Sequence, residues 1–416
     1  MGLGGGSNLE FLRNNDIRVY IDHKVECGLD RVIELINRTN QLNFTKKRLP
    51  ENIGEARNQI QKEIDHHQHQ AGLVRVTDKY GDYGIVGFYL CGTYDVGKHL
   101  IHFCFSCRTL GMGVEAYVYQ LLDRPNMTVV GEVLSDPINS ETVDWIKSWD
   151  GSLSTGVEIK RDLLPNFFLR GGCDLMALDH YVKMLSRNVV GEYNTVVCGV
   201  PLRLDHSLIT EYSINGITSK ELEVFEPLGY DASSFKSEIQ SLPPCGVCVM
   251  SFSADYWVPV YRHKTLGISI PFYAMEGTWD LSKISDEDIE RFTLGTAQRL
   301  AVDHLRQNFE LIGLSSKTAF EGRLEKILDM IPRGSLCFLL LQKEYYGVER
   351  KIAAAVVDLN KWICNIAAGR PNVRIIAIGD FIEDPSEIET ETDHAKRIVY
   401  HRIFEHIRER CSGLLS

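Results

Sequence analysis

An arginine and two glycines between an apolar strand and a helix are the residues best placed to do chemistry. Residues 99–105 form an apolar run that predicts a buried strand, and residues 114–122 have the spacing of an amphipathic helix. Glycines in such a turn let the backbone N–H groups converge on one point, where the positive helix end also favours a phosphate or pyrophosphate. We therefore expect the turn to bind the phosphopantetheine arm of an acyl-CoA or of an acyl carrier protein, through Arg108, Leu110, Gly111, Met112, Gly113 and Val114.

A second group pairs a cysteine with a histidine more than 200 residues later. Cys173 follows Gly172 at a predicted strand-to-helix turn, where the helix dipole favours a thiolate. A histidine with a neighbouring carboxylate can act as the base for such a nucleophile. The sequence therefore predicts a catalytic set of Cys173, His394, Glu391 and Asp393, with Gly172 supplying a backbone N–H to the substrate. A small buried cysteine at a tight turn, and a histidine capped at a helix start, remain the alternative interpretation.

Amide and hydroxyl side chains are dense after the helix predicted around residues 29–36. Such side chains either cap the helix end or hold a polar acyl group or a pantetheine amide. Two aspartates occupy comparable places, one in the turn of a predicted hairpin and one after a predicted strand. The predicted substrate-binding residues are Thr39, Asn40, Gln41, Asn43, Asp82 and Asp255, together with Gly172.

Composition limits the classes of protein that the chain can belong to. The 416 residues suffice for two or three domains, and the net charge of −11 argues against nonspecific binding to nucleic acid or to an anionic membrane. The sequence has no apolar stretch of membrane-spanning length and no secretory signal pattern, so we expect a cytoplasmic protein without a membrane span. The 11 cysteines lack the spacing of a disulfide framework or a zinc site, so we expect no metal.

The pattern of elements predicts an α/β fold in two domains, residues 8–150 and residues 151–416. The first predicts a helix, a hairpin and the strand–turn–helix described above, which is a mixed α/β domain. In the second, short apolar strands alternate with amphipathic helices, which is typical of a doubly wound, flavodoxin-like parallel sheet. Its predicted strands are residues 166–169, 195–200, 247–251, 335–341 and 373–378.

Three segments of the first domain resemble the C-terminal half of FkbH-like proteins. They are residues 36–45, 78–87 and 106–115, in that order. The resemblance implies a GNAT-like fold that handles an acyl thioester, because FkbH-like proteins join a HAD phosphatase-like domain to a GNAT-like domain. Members load glyceryl or related units onto acyl carrier proteins in polyketide pathways, and others occur in surface-polysaccharide clusters. The Asp-x-Asp-x-Thr signature of the HAD half does not occur here, so only the acyl-handling half is implied, and a HAD partner domain or subunit stays open.

The second domain resembles SGNH/GDSL hydrolases. The turn 171–174 stands where Gly-Asp-Ser-Leu is usual, and an acidic-x-x-His sequence, residues 391–394, precedes the last helix. Cysteine here replaces the family's serine, and glycine replaces the aspartate before it. The resemblance implies an acyl-enzyme mechanism at Cys173.

Together these resemblances imply a biosynthetic acyltransferase that moves an acyl group to a hydroxyl-bearing small molecule or sugar, or that hydrolyses an ester. Two alternatives stay open. One is a carbohydrate O-acyl esterase or transferase whose first domain only binds the carrier. The other is a non-catalytic scaffold that docks carrier proteins.

Overall fold

A computed structural model describes residues 5–94, 97–149, 165–186, 188–197, 200–274, 280–290, 294–346, 351–389 and 394–411. The chain divides into two compact units. The first comprises Met1–Leu164, His180–Arg187 and His394–Phe404, and the second comprises Pro165–Asp179, Asn188–Asp393 and Glu405–Ser416. Two later segments of the chain thus group with the first unit, in addition to the contiguous stretch predicted for it. None of the helices described has the length and apolar character needed to cross a membrane.

The first unit is built around a five-stranded sheet. In chain order its leading elements are α1 Gly5–Arg13, β1 Ile17–Asp22, α2 Leu29–Arg38, α3 Ile53–Asp65, β2 His69–Asp78, β3 Gly81–Tyr94, β4 Gly97–Phe105, α4 Val114–Leu121 and β5 Ile146–Ser148.

The strands lie in the order β4-β3-β2-β1-β5, antiparallel except for the parallel pair β1–β5. Alternate residues of β2 and β3 pack into two different cores, one with α2 and α3 and the other with α4. This alternation follows from the two-residue period of a strand, so helices cover both faces of the sheet. The predicted helix, hairpin and strand–turn–helix are all present, which confirms a mixed α/β unit.

The second unit contains a parallel sheet and an additional layer. Its elements in chain order are β6 Phe167–Gly171, α5 Cys173–Leu185, β7 Val189–Tyr193, β8 Thr195–Val197, β9 Val200–Leu202, α6 Ser207–Asn215, α7 Ser219–Phe225, β10 Val247–Ser251, β11 Val260–His263, β12 Ser269–Pro271, α8 Asp286–Glu290, α9 Thr296–Asn308, β13 Phe309–Gly313, α10 Lys317–Asp329, β14 Leu336–Leu341, β15 Tyr345–Tyr346, β16 Lys351–Ile352, α11 Ala354–Ala368, β17 Val373–Ala377 and α12 Arg397–Cys411. The last residues of α5 and the first of α12 belong to the first unit.

The parallel strands lie in the order β17-β14-β10-β6-β7. Numbered along the chain this is 2-1-3-4-5, the doubly wound order in which ligands bind where the strand order reverses. The reversal falls between β6 and β10, and every residue of these two strands is buried. The parallel sheet was therefore predicted correctly from the sequence. The candidate turn at residues 171–174 lies where the strand order reverses.

One predicted strand, 195–200, is wrong. Its described residues, 195–197 and 200, lie in β8 and β9, which pair antiparallel with each other instead of joining the parallel sheet. The edge position of the parallel sheet is taken instead by β7, two of whose five residues are exposed. A strand at the edge of a sheet is partly exposed and needs no continuous apolar run. The hydrophobic pattern of β7 is therefore weaker than that of residues 195–200.

Candidate functional site

The turn after β4 has the conformation that its glycines predict. Ser106 caps a short 3₁₀ turn by accepting a hydrogen bond from the Arg108 backbone N–H at 3.4 Å. Gly111 and Gly113 then adopt φ angles of +79° and +80°, in the left-handed region that disfavours side chains. The Arg108 side chain is exposed beside the turn. The structure thus brings Arg108 and both glycines together at one surface.

Helix α4 begins at this turn without a side-chain cap. Gly113 is the N-cap residue, and it has no side chain that could accept from the first N–H groups of the helix. The indole Nε1 of Trp145 donates to the carbonyl oxygen of Met112 at 2.9 Å and so holds the turn from the other side. Uncapped N–H groups at a positive helix end are the arrangement that binds phosphate groups in other proteins.

The two glycines of the turn differ in their surroundings, which gives a testable pair of substitutions. A Cβ atom on Gly113 would lie 2.8 Å from Cζ2 of Trp145, whereas one on Gly111 would meet nothing within 4 Å. Gly111→Ala carries only the cost of its backbone conformation, about 1 kcal/mol. Gly113→Ala adds a clash with an anchored ring and is expected to cost about 2–4 kcal/mol. Urea unfolding of both variants measures the difference, and equal losses would contradict it.

The amide-rich segment after α2 divides into structural and accessible residues. Thr39 Oγ1 donates to the Leu35 carbonyl at 2.5 Å, and buried Asn43 donates to the Ile36 carbonyl at 3.0 Å. Both therefore cap the end of α2, which is the structural role that the sequence left open. Gln41 and Asn40 are exposed, and Gln41 Oε1 accepts from the Cys107 thiol at 3.4 Å. Gln41 is thus the member of this set that the structure places against the turn.

Asp82 does not lie in the hairpin turn, as the sequence predicted, because it is the second residue of β3 and pairs with Thr77 of β2. Its carboxylate accepts from the Gly84 N–H at 2.7 Å, a local bond within the strand. No described contact joins it to the Arg108 turn, and its predicted role in substrate binding stays a prediction.

A cavity of about 560 Å³, which the sequence pattern did not indicate, lies beside the same turn. Its lining includes Gly113, Glu115, Ser135 and Trp145, and Arg13 of α1. Glu115 is only 3% exposed, and its Oε2 atom has no hydrogen-bond partner among the described residues. Burial raises the pKa of this carboxyl above its usual range. The sequence offered one signal, an acidic residue in the first turn of α4, which is equally typical of an ordinary helix start.

In the second unit, the turn 171–174 gathers polar groups at the carboxyl end of the parallel strands. Asp174 is buried and accepts hydrogen bonds from Gln342 Nε2 at 2.9 Å and from Ser251 Oγ at 3.2 Å. Gln342 and Ser251 come from the ends of β14 and β10. Three strands thus contribute to one polar edge, as expected of a doubly wound sheet.

The burial of Cys173 opposes the thiolate that its position predicted. Its side chain is half-buried, and burial raises the pKa of the thiol although the Arg203 guanidinium acts in the opposite direction. Desolvation therefore outweighs the attraction of the Arg203 guanidinium. Within the described part of the second unit, no side chain hydrogen-bonds this thiol.

Asp205 and Asn194, which the sequence analysis did not select, lie beside the cysteine turn. Asp205 is fully buried and pairs with Arg203 at 2.8 Å. Burial would raise the pKa of Asp205, but Arg203 and hydrogen bonds from Ser253 and Asn194 bring it below the usual range. The side-chain Nδ2 of Asn194 lies beside the Asp205 carboxylate, whose pKa it helps to lower, and would lie 3.1 Å from a Cβ on Gly172. This N–H₂ group is a hydrogen-bond donor at the cysteine turn.

Asp255 serves the framework of the second unit. Its carboxylate accepts from Ser207 N and Oγ at 2.6 and 2.7 Å and from Ser315 Oγ at 2.6 Å. Arg323 lies 3.5 Å away. These bonds hold the start of α6 against the loop after β10, and a substrate-binding role for Asp255 stays a prediction.

The predicted catalytic histidine belongs to the first unit. The His394 ring is stacked on His67, with centroids 4.3 Å apart. Glu391 and Asp393 lie outside the described residues. The pairing of His394 with Cys173 remains a prediction.

No family model matches the chain, and no curated protein is significantly similar to it. A function for this protein therefore has to be inferred from the geometry of the candidate sites.

Proposed function

We propose that the chain is an acyltransferase that takes its acyl group from a phosphopantetheine thioester, carried by coenzyme A or by an acyl carrier protein. The observation that carries this proposal is the turn 108–113, in which two left-handed glycines precede an uncapped helix and an exposed arginine flanks them. The FkbH-like, GNAT-type character of residues 8–150 belongs to the same proposal. The proposal includes a cytoplasmic location and a role in polyketide or surface-polysaccharide biosynthesis.

In the first unit the chemistry needs no covalent enzyme intermediate. The backbone N–H groups at the start of α4 and the Arg108 guanidinium hold the phosphates of the donor. Gln41, beside Cys107, is placed to bond a pantetheine amide. The rate then comes from holding the thioester and an acceptor hydroxyl in contact, which replaces a bimolecular encounter by an oriented one.

In the second unit, taken as SGNH-like, Cys173 is the proposed acyl acceptor. Its thiol would lose its proton to a base and attack the carbonyl carbon, and the bond from that carbon to the pantetheine sulfur would break to release the pantetheine thiol. The N–H group of Gly172 and the Asn194 amide would stabilise the oxyanion. The raised pKa of the thiol means that this step requires a base, the role assigned to His394 with Glu391 or Asp393. The acyl group would then pass to a hydroxyl or, in an esterase, to water.

The second candidate is a carbohydrate O-acyl esterase or transferase in which the first unit only binds the carrier, and the Asn194 amide at the cysteine turn favours it. The third candidate, a docking scaffold, differs from both in lacking turnover.

Binding and turnover of acetyl-CoA and malonyl-CoA test the proposal. Arg108→Ala is expected to weaken coenzyme A binding about tenfold to a hundredfold, the effect of losing one charge-assisted contact. Arg57→Ala removes another exposed arginine of the same unit, one that pairs with Asp30, and should leave binding unchanged. Isothermal titration calorimetry gives both affinities.

Intact-protein mass spectrometry of wild type and Cys173→Ala separates the candidates. An acyl adduct present only on wild type supports covalent catalysis in the second unit. Donor consumption without an adduct assigns the transfer to the first unit. Binding without consumption favours the scaffold, and absence of binding overturns the proposal.

A further inference from the structure

The cavity beside the turn has the size and position of a second substrate site. Its volume of about 560 Å³ falls within the range of small-molecule pockets. Its wall includes Gly113, so it adjoins the turn that we propose holds the donor. Two of its lining side chains, Glu115 and Ser135, each have a buried oxygen without a hydrogen-bond partner among the described residues.

A buried carboxyl with a free oxygen is costly to maintain. Buried polar groups are normally hydrogen-bonded, and an unpaired one destabilises the fold. The Ser135 hydroxyl lies close enough to lower the pKa of Glu115, but desolvation has the larger effect and the pKa stays raised. A carboxyl in this state exchanges a proton nearer to neutral pH than an exposed one, which suits acid–base chemistry.

We infer that this cavity is the acceptor site of the proposed acyl transfer, and that Glu115 takes the proton from the acceptor hydroxyl. The inference rests on the proposed function. The acceptor oxygen forms a bond to the thioester carbonyl carbon, and the carbon–sulfur bond breaks. The hydroxyl proton passes to Oε2 of Glu115 and from there to the departing thiolate, so that the products are an ester and a free thiol.

The charges of the lining indicate the class of acceptor. The carboxylates that line the cavity outnumber its cations: Glu115, Asp136, Glu141 and Asp144, against Arg13. Arg13 is already paired with Asp144 at 2.7 Å. A phosphorylated acceptor would meet net repulsion there, whereas the hydroxyls of an uncharged sugar or polyol could bond to Ser140, Thr142 and the carboxylates. We therefore assign the site to an uncharged polyhydroxylated acceptor.

Glu115→Gln tests the proton transfer with acetyl-CoA as donor and glycerol or methyl glucoside as acceptor. Release of free thiol is expected to fall about 10²- to 10⁴-fold in kcat, the usual contribution of a positioned base, with the KM for acetyl-CoA unchanged. Wild-type kcat should fall as the pH falls through the raised pKa of Glu115, because only the carboxylate accepts a proton. That acidic limb should disappear in the variant. Glu132→Gln, at an exposed glutamate outside the cavity lining, is the matched control and should behave as wild type.

The stability of the same variant distinguishes a proton acceptor from a structural residue. Because the folded-state pKa is raised, wild type gains stability from Glu115 below the unfolded pKa and loses it as the pH rises through the folded value. Glu115→Gln lacks this loss and should be at least as stable as wild type at neutral pH. A variant less stable at every pH would assign Glu115 to the framework and overturn the inference.

The remaining outcomes separate the inference from the function on which it rests. Full kcat in Glu115→Gln, or preference for glucose 6-phosphate over methyl glucoside, would overturn the inference while leaving acyl transfer intact. A wild-type protein that binds coenzyme A and releases no thiol with any acceptor would refute transfer in this unit, and the acceptor site with it.

Discussion

Glu192→Gln is expected to destabilise the second unit by about 3–5 kcal/mol, the usual cost of leaving a buried charge without its partner. Arg170, at the end of β6, is 1% exposed and forms an ion pair with Glu192 at the end of β7. Its other nitrogens donate to Thr210 Oγ1 at 3.0 Å and to Ser213 Oγ at 3.2 Å. Removing the carboxylate leaves the guanidinium charged and desolvated, without its ion-pair partner.

Urea unfolding followed by far-UV circular dichroism measures this loss as a lower midpoint. The control is Glu310→Gln, which breaks an exposed pair with Arg262 (2.6 Å) in the same unit and should cost less than about 1 kcal/mol. The double variant Arg170→Met/Glu192→Gln should cost less than the sum of its single changes, because it removes both charges together. Equal losses at the buried and the exposed pair would contradict the prediction.

The pair also positions the candidate site of the second unit. Arg170 directly precedes Gly171 and Gly172, and Glu192 lies two residues before Asn194. The Asn194 backbone N–H donates to the Gly171 carbonyl at 3.2 Å. The ion pair thus fixes the ends of two neighbouring strands, and through them the distance between the cysteine turn and the Asn194 amide.

The sequence was informative where burial is complete and the backbone conformation is special. The strands β4, β10 and β14 are apolar runs because both of their faces are covered, and such runs need no knowledge of the fold to be recognised. Gly111 and Gly113 indicated a turn because few other residues tolerate a positive φ. The turn and the strand and helix around it could therefore be predicted together.

Features that depend on distant parts of the chain were not predictable. The edge strand β7 lacks an apolar run, and the raised pKa of Cys173 arises from burial that only the assembled fold produces. Glu115 has the sequence signature of an ordinary helix start, and the segment 135–145 that encloses it follows some 20 residues later. Asp255 was selected for its place after a strand, but its partners Ser207, Ser315 and Arg323 come from three separate segments.

Acidification is expected to destabilise the first unit through two buried histidines. His23 and His180 are 8% and 4% exposed, with ring centroids 5.6 Å apart. Burial lowers the pKa of both rings well below the usual range, and the neighbouring His401 and Arg397 lower it further. The other ionisable groups around them are Glu26, which pairs with Arg397, the buried phenols Tyr89 and Tyr181, and Lys98.

The direction of the effect follows from the depressed pKa values. The unfolded chain binds protons at these histidines below about pH 6.5, whereas the folded chain does not until the pH is much lower. The contribution of the two histidines to the free energy of unfolding is therefore largest above about pH 6.5. It is lost as the pH falls from there towards the lowered pKa values of the folded protein. Each histidine contributes about 1.4 kcal/mol per pH unit, so the two together should remove about 2–3 kcal/mol between pH 6.5 and pH 5.5.

Thermal unfolding of wild type from pH 5 to pH 8 measures the slope, and the double variant Tyr89→Phe/His180→Phe should reduce it by about half. Both residues are changed because the Tyr89 hydroxyl lies 3.0 Å from Nε2 of His180, and removing one partner would leave the other unpaired in the interior. The control is His99→Gln, at a half-buried histidine of β4 in the same unit, which should leave the wild-type dependence of stability on pH unchanged. A double variant with the full wild-type slope would show that the acid sensitivity comes from groups other than this histidine pair.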